Sequence, residues 1–513
     1  MLRQIRSSVL LLAFLALPAA FDPVWSQAGV PADDDVFPEP IGRSGATEAD
    51  RRNGLRGQFD PDSSDSTSVR RRDRALSTDR FLRGTTVPSN EGSRSVANPL
   101  QRQVLDDPVV SLTPDATGED AALPPRVVEE PEPEEDPFAP LGIRLGSFLL
   151  FPVLGAERVY DDNVFLSATN PRGDWAYELS PNLEIQSDWS RHSLVGSLSA
   201  LRSFHDTFKS EDDKDFAAEV TGRLDIRSTS NIVGNASYTQ VPEDRSSSDF
   251  PLDAADRALT RTRAGSLEGN HTFNRVTLTL RGELESEDFD DATANDGSTI
   301  NNDDRDFTER RVTGRVTYEL QPGVAAFVEA SANERDFAEA TDDNGLRNGS
   351  SGYDMQAGLS FLLTGKLTGE ASVGYAEQTP EETSQVDVSG VIFNAGLAWQ
   401  ATGLTTFRLD ASSEIDETTD AGSAGSIIRS IGISVEHRPR RNVLLGASVE
   451  YENEKFAGTN NEEREWLFGV NGEYNFSRSV ALTAAYEHAK NTSNVPGNGY
   501  TANEVRFGVR VRR

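Results

Sequence analysis

From Leu141 to Arg513 the chain is a series of segments in which apolar and polar residues alternate with period 2. Val276, Leu278, Leu280, Gly282 and Leu284 stand against Thr277, Thr279, Arg281, Glu283 and Glu285. Val312, Gly314, Val316, Tyr318 and Leu320 oppose Arg311, Thr313, Arg315, Thr317 and Glu319. Between residues 218 and 226, Ala218, Val220, Gly222, Leu224 and Ile226 oppose Glu219, Thr221, Arg223 and Asp225. Trp466, Phe468, Val470, Gly472 and Tyr474 keep the same phase, and only Leu467 breaks the polar one. A period of two sends successive side chains to opposite faces of a β-strand. Each strand therefore has one apolar face and one face with charges at mid-strand.

The connections alternate as regularly as the side chains. Short turns are expected near 190–192, 229–231, 273–275, 322–323, 364–366, 402–404, 440–442 and 477–479. Long loops rich in Asp, Asn, Ser and Gly are expected at 243–257, 288–305, 338–352, 417–425, 457–464 and 491–499. Short turns at one end and long loops at the other are the connection pattern of transmembrane β-barrels. Nine hairpins joined by eight short turns give about 18 strands, within a range of roughly 16–18. The remaining 373 residues leave roughly 21 per strand with its connection, which suits strands of ~9–11 membrane residues. Trp175, Tyr177, Trp189, Trp399 and Trp466 lie near strand ends with Tyr160, Tyr353, Tyr451, Tyr474 and Tyr500, as girdles at two membrane surfaces require. A bilayer tolerates no unpaired sheet edge, so such strands enter it only as a closed antiparallel barrel.

Upstream the character differs. Arg3 and Arg6 precede the apolar run Val9–Ala20, which is about a dozen residues and too short to span a membrane as a helix. This is the form of a secretory signal peptide over residues 1–28, with cleavage after Ala28 and Ala20 as a second candidate. Residues 29–140 show neither period. Arg clusters at Arg51–Arg52 and Arg70–Arg74 alternate with Asp, Ser and Pro, and the stretch ends in a Pro-acid run at 129–140. That composition cannot bury enough apolar area to offset ordering entropy, so a disordered periplasmic extension is expected, with a plug or docking segment as the alternative. The organisation read from sequence is thus 1–28 signal peptide, 29–140 disordered extension and 141–513 outer-membrane β-barrel.

Composition sharpens this picture by exclusion. The 513 residues carry 83 Asp plus Glu against 50 Lys plus Arg, a net charge of -33, and no cysteine. Without Cys there is no disulfide framework, thiol nucleophile or Cys-ligated metal. The acidic excess argues against nucleic acid as a partner. Residues 1–140 hold 15 basic and 24 acidic side chains and the remainder 35 and 59, so most of the excess belongs to the barrel region.

Candidate chemistry is sparse. His192, His205, His271, His437 and His488 are scattered, with no HExxH, nucleophile elbow or phosphate-binding loop nearby. A lipid-facing hydrolase would need a Ser–His pair, for which His205 and His488 are the positions near strand ends. Loop acids Asp290, Asp291, Asn295, Asp296, Asp303 and Asp304, and Asp342, Asp343 and Asn344, are hard-cation ligand types, but they miss the EF-hand spacing and read as solvated loops. No catalytic residue, cofactor or metal is expected, and the chain is not read as an enzyme. The residues expected to carry function line the lumen: Arg223, Asp225, Arg281, Glu283, Arg315, Glu319, Arg408, Asp410 and Glu473. A cation costs ~2–4 kcal/mol at the lipid midplane, so charges in this phase must point inward. Arg429 falls in the apolar phase of Ile427, Ile431 and Ile433, and either a bulge reorients it or it snorkels at the membrane edge.

The stretch from Pro140 to Ser167, with its Tyr160-Asp161-Asp162-Asn163 block, resembles the outer-membrane porins of the beta-barrel porin 2 family. The resemblance continues through 180–200, with Asp188-Trp189-Ser190-Arg191-His192, and through 220–247, and covers the rest by pattern. It implies an outer-membrane barrel, in some members associated with capsule or exopolysaccharide systems, and carries over no catalytic residues. One departure from outer-membrane barrels generally is the last strand, which ends at Arg512-Arg513 instead of an aromatic. The preferred function is a porin-like channel for passive diffusion of small polar solutes. The alternative is a non-catalytic component of surface polysaccharide export or anchoring. Expected partners are outer-membrane lipid and lipopolysaccharide, the barrel assembly machinery, polysaccharide export components in the alternative reading, and a second copy of the chain as a homo-oligomer.

Overall fold

The computed structural model describes residues 137–513, apart from 248–249, 252–253, 342–344, 348, 364–365 and 417–422. The expected signal peptide and residues 29–136 of the extension lie outside the described residues, as do Asp342, Asp343 and Asn344.

The chain forms β1 (Ile143–Leu145), β2 (Phe148–Asp161), β3 (Asp174–Ser187), β4 (Ser193–His205), β5 (Lys214–Arg227), β6 (Ser230–Pro242) and β7 (Leu259–Phe273). It continues with β8 (Val276–Phe289), β9 (Ala292–Thr293), β10 (Thr299–Ile300), β11 (Phe307–Gln321), β12 (Val324–Phe337), β13 (Ser350–Leu363) and β14 (Leu367–Pro380). The last seven are β15 (Val388–Thr402), β16 (Thr405–Asp416), β17 (Ser426–Arg440), β18 (Val443–Phe456), β19 (Glu462–Asn475), β20 (Val480–Ser493) and β21 (Tyr500–Arg512). One 19-stranded antiparallel sheet contains all but β9 and β10. Setting aside the short β1, 18 strands form the wall. It closes where β2 pairs with β21, from Val153 opposite Arg512 to Asp161 opposite Glu504. β1 folds back on β2, pairing Ile143 with Leu150 and Leu145 with Phe148, just beyond the point where β21 stops. The backbone row that β21 leaves open at this end of the seam is thereby paired.

All eight expected short turns join consecutive strands. Two show the chemistry that tight reversal requires. Pro322-Gly323 links β11 to β12, and Gly323 adopts a φ of 77° with its missing Cβ 2.7 Å from the Leu362 carbonyl oxygen, so only glycine fits. Asn274 holds a φ of 55° between β7 and β8, a conformation its short polar side chain tolerates.

The long loops are shorter and more ordered than the composition suggests. β20 runs to Ser493 and β19 starts at Glu462, because these polar residues continue the backbone ladder beyond the apolar stretch. The loop expected at 288–305 contains the β9–β10 hairpin and a 3-10 turn at Asp303–Arg305. Loops on one side of the mouth are tied together by ion pairs. Glu211 accepts two 2.8 Å hydrogen bonds from Arg245, Arg257 reaches Asp213 at 2.6 Å, and the buried Arg305 reaches Glu243 at 2.5 Å.

The wall is inside-out relative to a soluble domain. Apolar residues of the regular phase are exposed: Leu280 is 64% exposed, and Val312, Val373, Val391, Val470 and Phe507 are exposed likewise. The opposite phase, facing the barrel interior, is polar and buried, as at Thr277, Glu283, Thr313, Glu329 and Thr483. Leu467 is the exception that the sequence flagged. It is 4% exposed on the inner face, packed with Ala489, Tyr500 and Ala502, and Leu166 from the β2–β3 loop covers this cluster. Tyr500 is therefore corrected: its ring is buried inside, its hydroxyl donates to Glu465 at 2.5 Å, and it belongs to no girdle. The other named aromatics sort into two levels. Tyr160 lies 5.0 Å from Trp175, and Tyr451 lies 4.7 Å from Trp466, at the long-loop end. Trp189 lies 5.5 Å from Phe148, and Trp399 stacks on Phe407 at 5.5 Å, at the short-turn end.

Candidate functional site: the inner face of the wall

The inner face is built by the polar phase of every strand, and its charged groups are joined both along single strands and across the ladder. On β5, Arg223 donates to Asp225 at 2.8 Å. Arg281 on β8 meets Glu268 on β7 at 2.6 Å and lies 3.8 Å from Glu283 on its own strand. Arg315 on β11 reaches over β12 and β13 to make a bidentate pair with Glu370 on β14, at 2.9 and 2.6 Å. Its guanidinium also lies 3.6 Å from the Phe327 ring centre and 3.5 Å from Glu329. Glu309 joins Arg335 at 2.7 Å to Arg311 at 3.0 Å. Arg408 lies 3.7 Å from Glu436, and Asp410 sits opposite Gly396 and Gly432. Glu473 accepts from both Arg510 at 2.8 Å and Arg512 at 3.1 Å. Glu319 is half-buried near the short-turn end of β11. The nine residues singled out in the sequence thus share one face of the wall by register, but they do not converge on one point.

At the seam Arg506 joins three acids, Glu178, Glu504 and Glu157, and so clamps the last strand to the first two long ones. Opposite charges held close in this way fix side-chain positions and shape the local field.

The most uneven part of the inner face was not singled out from the sequence. On β18–β20 the inward positions carry Glu450, Glu452, Glu454, Glu463, Glu465, Glu473 and Glu487 and no Lys or Arg. Register sets Glu452 directly opposite Glu465 and Glu454 directly opposite Glu463. The signal was present as Glu at every second position over 450–454 and at 463 and 465. What the pattern alone withheld was which acids face one another, since that depends on the turn between Phe456 and Glu462.

Arg429 keeps the outward phase. The β16–β17 register runs without a shift from Thr405 opposite His437 to Asp416 opposite Ser426, so no bulge reorients it. Of the histidines, His205 lies 3.4 Å from Asp212, and His488 meets Asn503 at 2.8 Å. Neither is beside a serine in these contacts. A Ser–His contact does occur between Ser230 and His271, at 2.6 Å on the outer face. His271 makes no second side-chain hydrogen bond among the described residues, so nothing orients the ring as a catalytic base requires. Asp290 is held by Arg261 and Asp296 by Ser298. Among the described residues no group of three or more His, Asp or Glu is placed to hold a metal ion, and no helix is long and apolar enough to cross a membrane.

Comparison with known proteins gives one firm result. No curated protein matches the chain. Among solved structures it is similar to OccK3 (OpdO) of Pseudomonas aeruginosa at 13% identity, covering 71% of this chain and 95% of that one, with a TM-score of 0.36. It is similar to the outer membrane protein OpdK of the same organism at 12% identity, covering 71% and 99%, with a TM-score of 0.38. A siderophore receptor, PiuA of Acinetobacter baumannii, superposes at 8% identity, covering 72% and 82%, with a TM-score of 0.41. Superpositions this loose say nothing about the pore or the solute of this chain. The family model is different in kind: the one described as "Putative beta-barrel porin 2" matches residues 136–513, the whole wall with its lead-in. A closed barrel of 18 strands with lipid-type residues outside and charges inside, matched over its full length, belongs to the beta-barrel porin 2 family of outer-membrane barrels.

Proposed function

We propose that the protein is a diffusion channel of the outer membrane that passes small polar solutes and favours cationic ones. Barrels of 16–18 strands leave an aqueous channel, whereas about eight strands are filled by side chains. The observation that carries the preference is the facing of Glu452 to Glu465 and Glu454 to Glu463 on β18 and β19. Like charges directly opposite each other disfavour the ladder, and a field of one sign along a lumen concentrates counter-ions there. Rings and rows of carboxylates select cations in this way. Arg223, Arg281, Arg315 and Arg408 lie with acid neighbours elsewhere on the wall, so they shape the passage more than they reverse its sign.

Both ends of the wall lie at the short-turn side, which is the periplasmic side in such barrels. Arg478 donates to the Pro137 carbonyl at 2.7 Å and Arg512 to the Phe138 carbonyl at 3.3 Å, so the described chain begins at that rim. This supports a periplasmic course for the extension before it. The test is the conductance of full-length protein in a planar bilayer under a tenfold KCl gradient. Stepwise conductance with a reversal potential of the cation-selective sign is expected. A folded, inserted barrel that never conducts, or one that prefers chloride, overturns the reading.

A further inference from the structure

Neighbouring strands of the wall are joined by backbone ladders, and one ladder stops early. β15 pairs with β16 from Thr402 opposite Thr405 up to Asn394 opposite Ser412 and no further. Both strands nevertheless continue towards the long-loop end, β15 through Phe393 to Val388 and β16 through Ser413 to Asp416. Residues 388–393 stay paired with β14 on their other side, and residues 413–416 stay paired with β17. Two strand edges are thus left open in the middle of the sheet. Among the described residues no backbone hydrogen bond crosses between them.

The two edges overlap instead of facing each other across a gap. Gly390 has the inner phase of β15, the phase of Asn394, whose amide reaches Gln356 at 3.2 Å. The place a Cβ would take on Gly390 is nevertheless 2.8 Å from Ile427 Cδ1 and 3.9 Å from the Arg429 guanidinium. Both belong to the outer phase of β17, shared with the exposed Ile431 and Ile433. An inner-phase residue touches outer-phase ones only if the long-loop part of β15 lies outside β16 and β17. β15 accordingly contacts β17 although β16 runs between them. Ser413 is covered in the same way: it shares the outer phase of Phe407, Leu409 and Ala411, yet is only 3% exposed. The lap is faced by Val388, Gly390 and Ile392 on one side and by Ser413, Ile415 and Ile427 on the other. Side-chain contact holds the wall here, where the ladder does not.

Val391 stands opposite Tyr375, an exposed ring in the long-loop half of β14. Rings in such positions mark the level where lipid chains give way to headgroups. Unpaired backbone is costly in hydrocarbon and tolerable where water reaches it, so a parting at this level can open sideways while the ladder below stays zipped. Separating the lap costs apolar contact alone, whereas parting any other neighbouring strands costs a row of hydrogen bonds. Arg429 lies at the lap and makes no ion pair among the described residues. We propose that this lap is a lateral port, through which a single-chain amphiphile with an anionic head moves between the barrel interior and the outer leaflet. The apolar chain slides between the two apolar layers, and the head meets the Arg429 guanidinium. The port is separate from the axial passage of polar solutes and rests only on the chain being an outer-membrane barrel.

The chain has no cysteine, so introduced pairs can be read without background in full-length protein. Oxidation of G390C/I427C in liposomes is expected to form an intrachain disulfide, because the lap brings these positions together. V391C/I415C, which would face each other if the ladder continued, is expected to stay reduced. The functional probe is a long-chain fatty acid with a terminal diazirine, and labelled residues are found by peptide mapping. Wild type should be labelled at the lap and at the inner-phase Ser412 and Ser430, which meet at 2.8 Å behind it. Oxidised G390C/I427C should lose the inner labelling and regain it on reduction, while an A395C/A411C disulfide within the paired ladder should leave it unchanged. R429Q should weaken labelling by the fatty acid roughly threefold, the size of one exposed ion pair, and leave labelling by the matching fatty alcohol unchanged. Heat-modifiable gel mobility shows that each variant is folded. Axial conductance should be the same in oxidised and reduced G390C/I427C, which separates failure of the port from failure of the channel. Absence of the G390C/I427C disulfide, with or without one in V391C/I415C, overturns the proposal. So does inner labelling that is equal before and after the lap is locked. Crosslinking of G390C/I427C between chains instead of within one would assign the open edges to a second copy and likewise overturn it.

Discussion

On β18–β20 the two faces of the same wall carry opposite charge. Glu450, Glu452, Glu454, Glu463, Glu465, Glu473 and Glu487 point inward, while Lys455, Arg464 and Lys490 point outward with Tyr451, Trp466 and Phe468 below them. Residues one position apart, such as Glu454 and Lys455, thus meet different solvents. The inward carboxylates are buried among polar neighbours, as Glu454 is beside the Ser426 hydroxyl and Glu473 beside Arg510, so their crowding is offset by hydrogen bonds and ion pairs. The outer face meets hydrocarbon at mid-height and a headgroup layer at the rim, so its charges are confined to the rim. Charge in this protein is therefore sorted by height on the outside and by sector on the inside.

The strongest way to break that comparison is to place one cation on each face of one strand. Val470 is exposed to lipid on β19, and its neighbour Asn471 faces the lumen. Val470→Arg should lower stability by ~2–4 kcal/mol in urea unfolding from liposomes. Asn471→Arg lies on a face rich in carboxylates and should cost less than ~1 kcal/mol. Equal costs for the two would mean that the assignment of faces is wrong.

Next in size is the pairing that clamps the closing strand. Glu473→Gln leaves Arg510 and Arg512 without the carboxylate they share and should destabilise the barrel by about 2 kcal/mol in the same assay. An unchanged unfolding midpoint would mean that lumen water already screens the pair. A third change acts on selectivity more than on stability. Glu452→Gln with Glu465→Gln removes one facing acid pair, so the reversal potential should move towards zero while the unfolding midpoint stays level or rises. A reversal potential unchanged by this double variant would place the selecting acids elsewhere.

How much of the barrel was legible in the sequence depends on the range of the forces involved. Strand number, the eight short turns and the two phases were readable because alternation and turn chemistry are local. Arg429 needed register: period 2 put it outward, but only the unbroken β16–β17 ladder excluded a bulge. Alternation puts Tyr500 and Leu467 on the inner face, in phase with Glu504 and Glu465, but why apolar groups stand there was beyond local reading. The Tyr500 hydroxyl finds Glu465 on β19, and Leu467 finds Ala489, Ala502 and a loop residue, Leu166, so tertiary partners decide what each does on that face. Nor could spacing foresee Arg315 reaching Glu370 three strands away, because stagger around the barrel brings them together. The nine lumen residues were chosen by phase, which gives a face but not which residues meet on it.

The smallest effect concerns the outer mouth, where the two faces meet in the loop before β11. Burial pushes the Asp306 carboxyl up to about 6, against the pull of the Phe289 N–H that it accepts at 2.7 Å; Asp288 and Asp303 push the same way as burial and Arg305 opposes. Since the folded value lies above the ordinary ~3.9, the folded loop holds the proton more tightly than the unfolded chain does. Its contribution to stability is complete below about pH 4 and is lost as pH rises through about 6. The partly solvated position limits the effect to about 1 kcal/mol. Amide exchange at Phe289, corrected for intrinsic rates, should therefore be better protected at pH 5 than at pH 7. Asp306→Asn keeps an acceptor for that N–H but cannot ionise, so protection should no longer depend on pH across this window. A wild type equally protected at both values would mean that the carboxyl is solvated, and that the mouth is as open to water as the lumen below it.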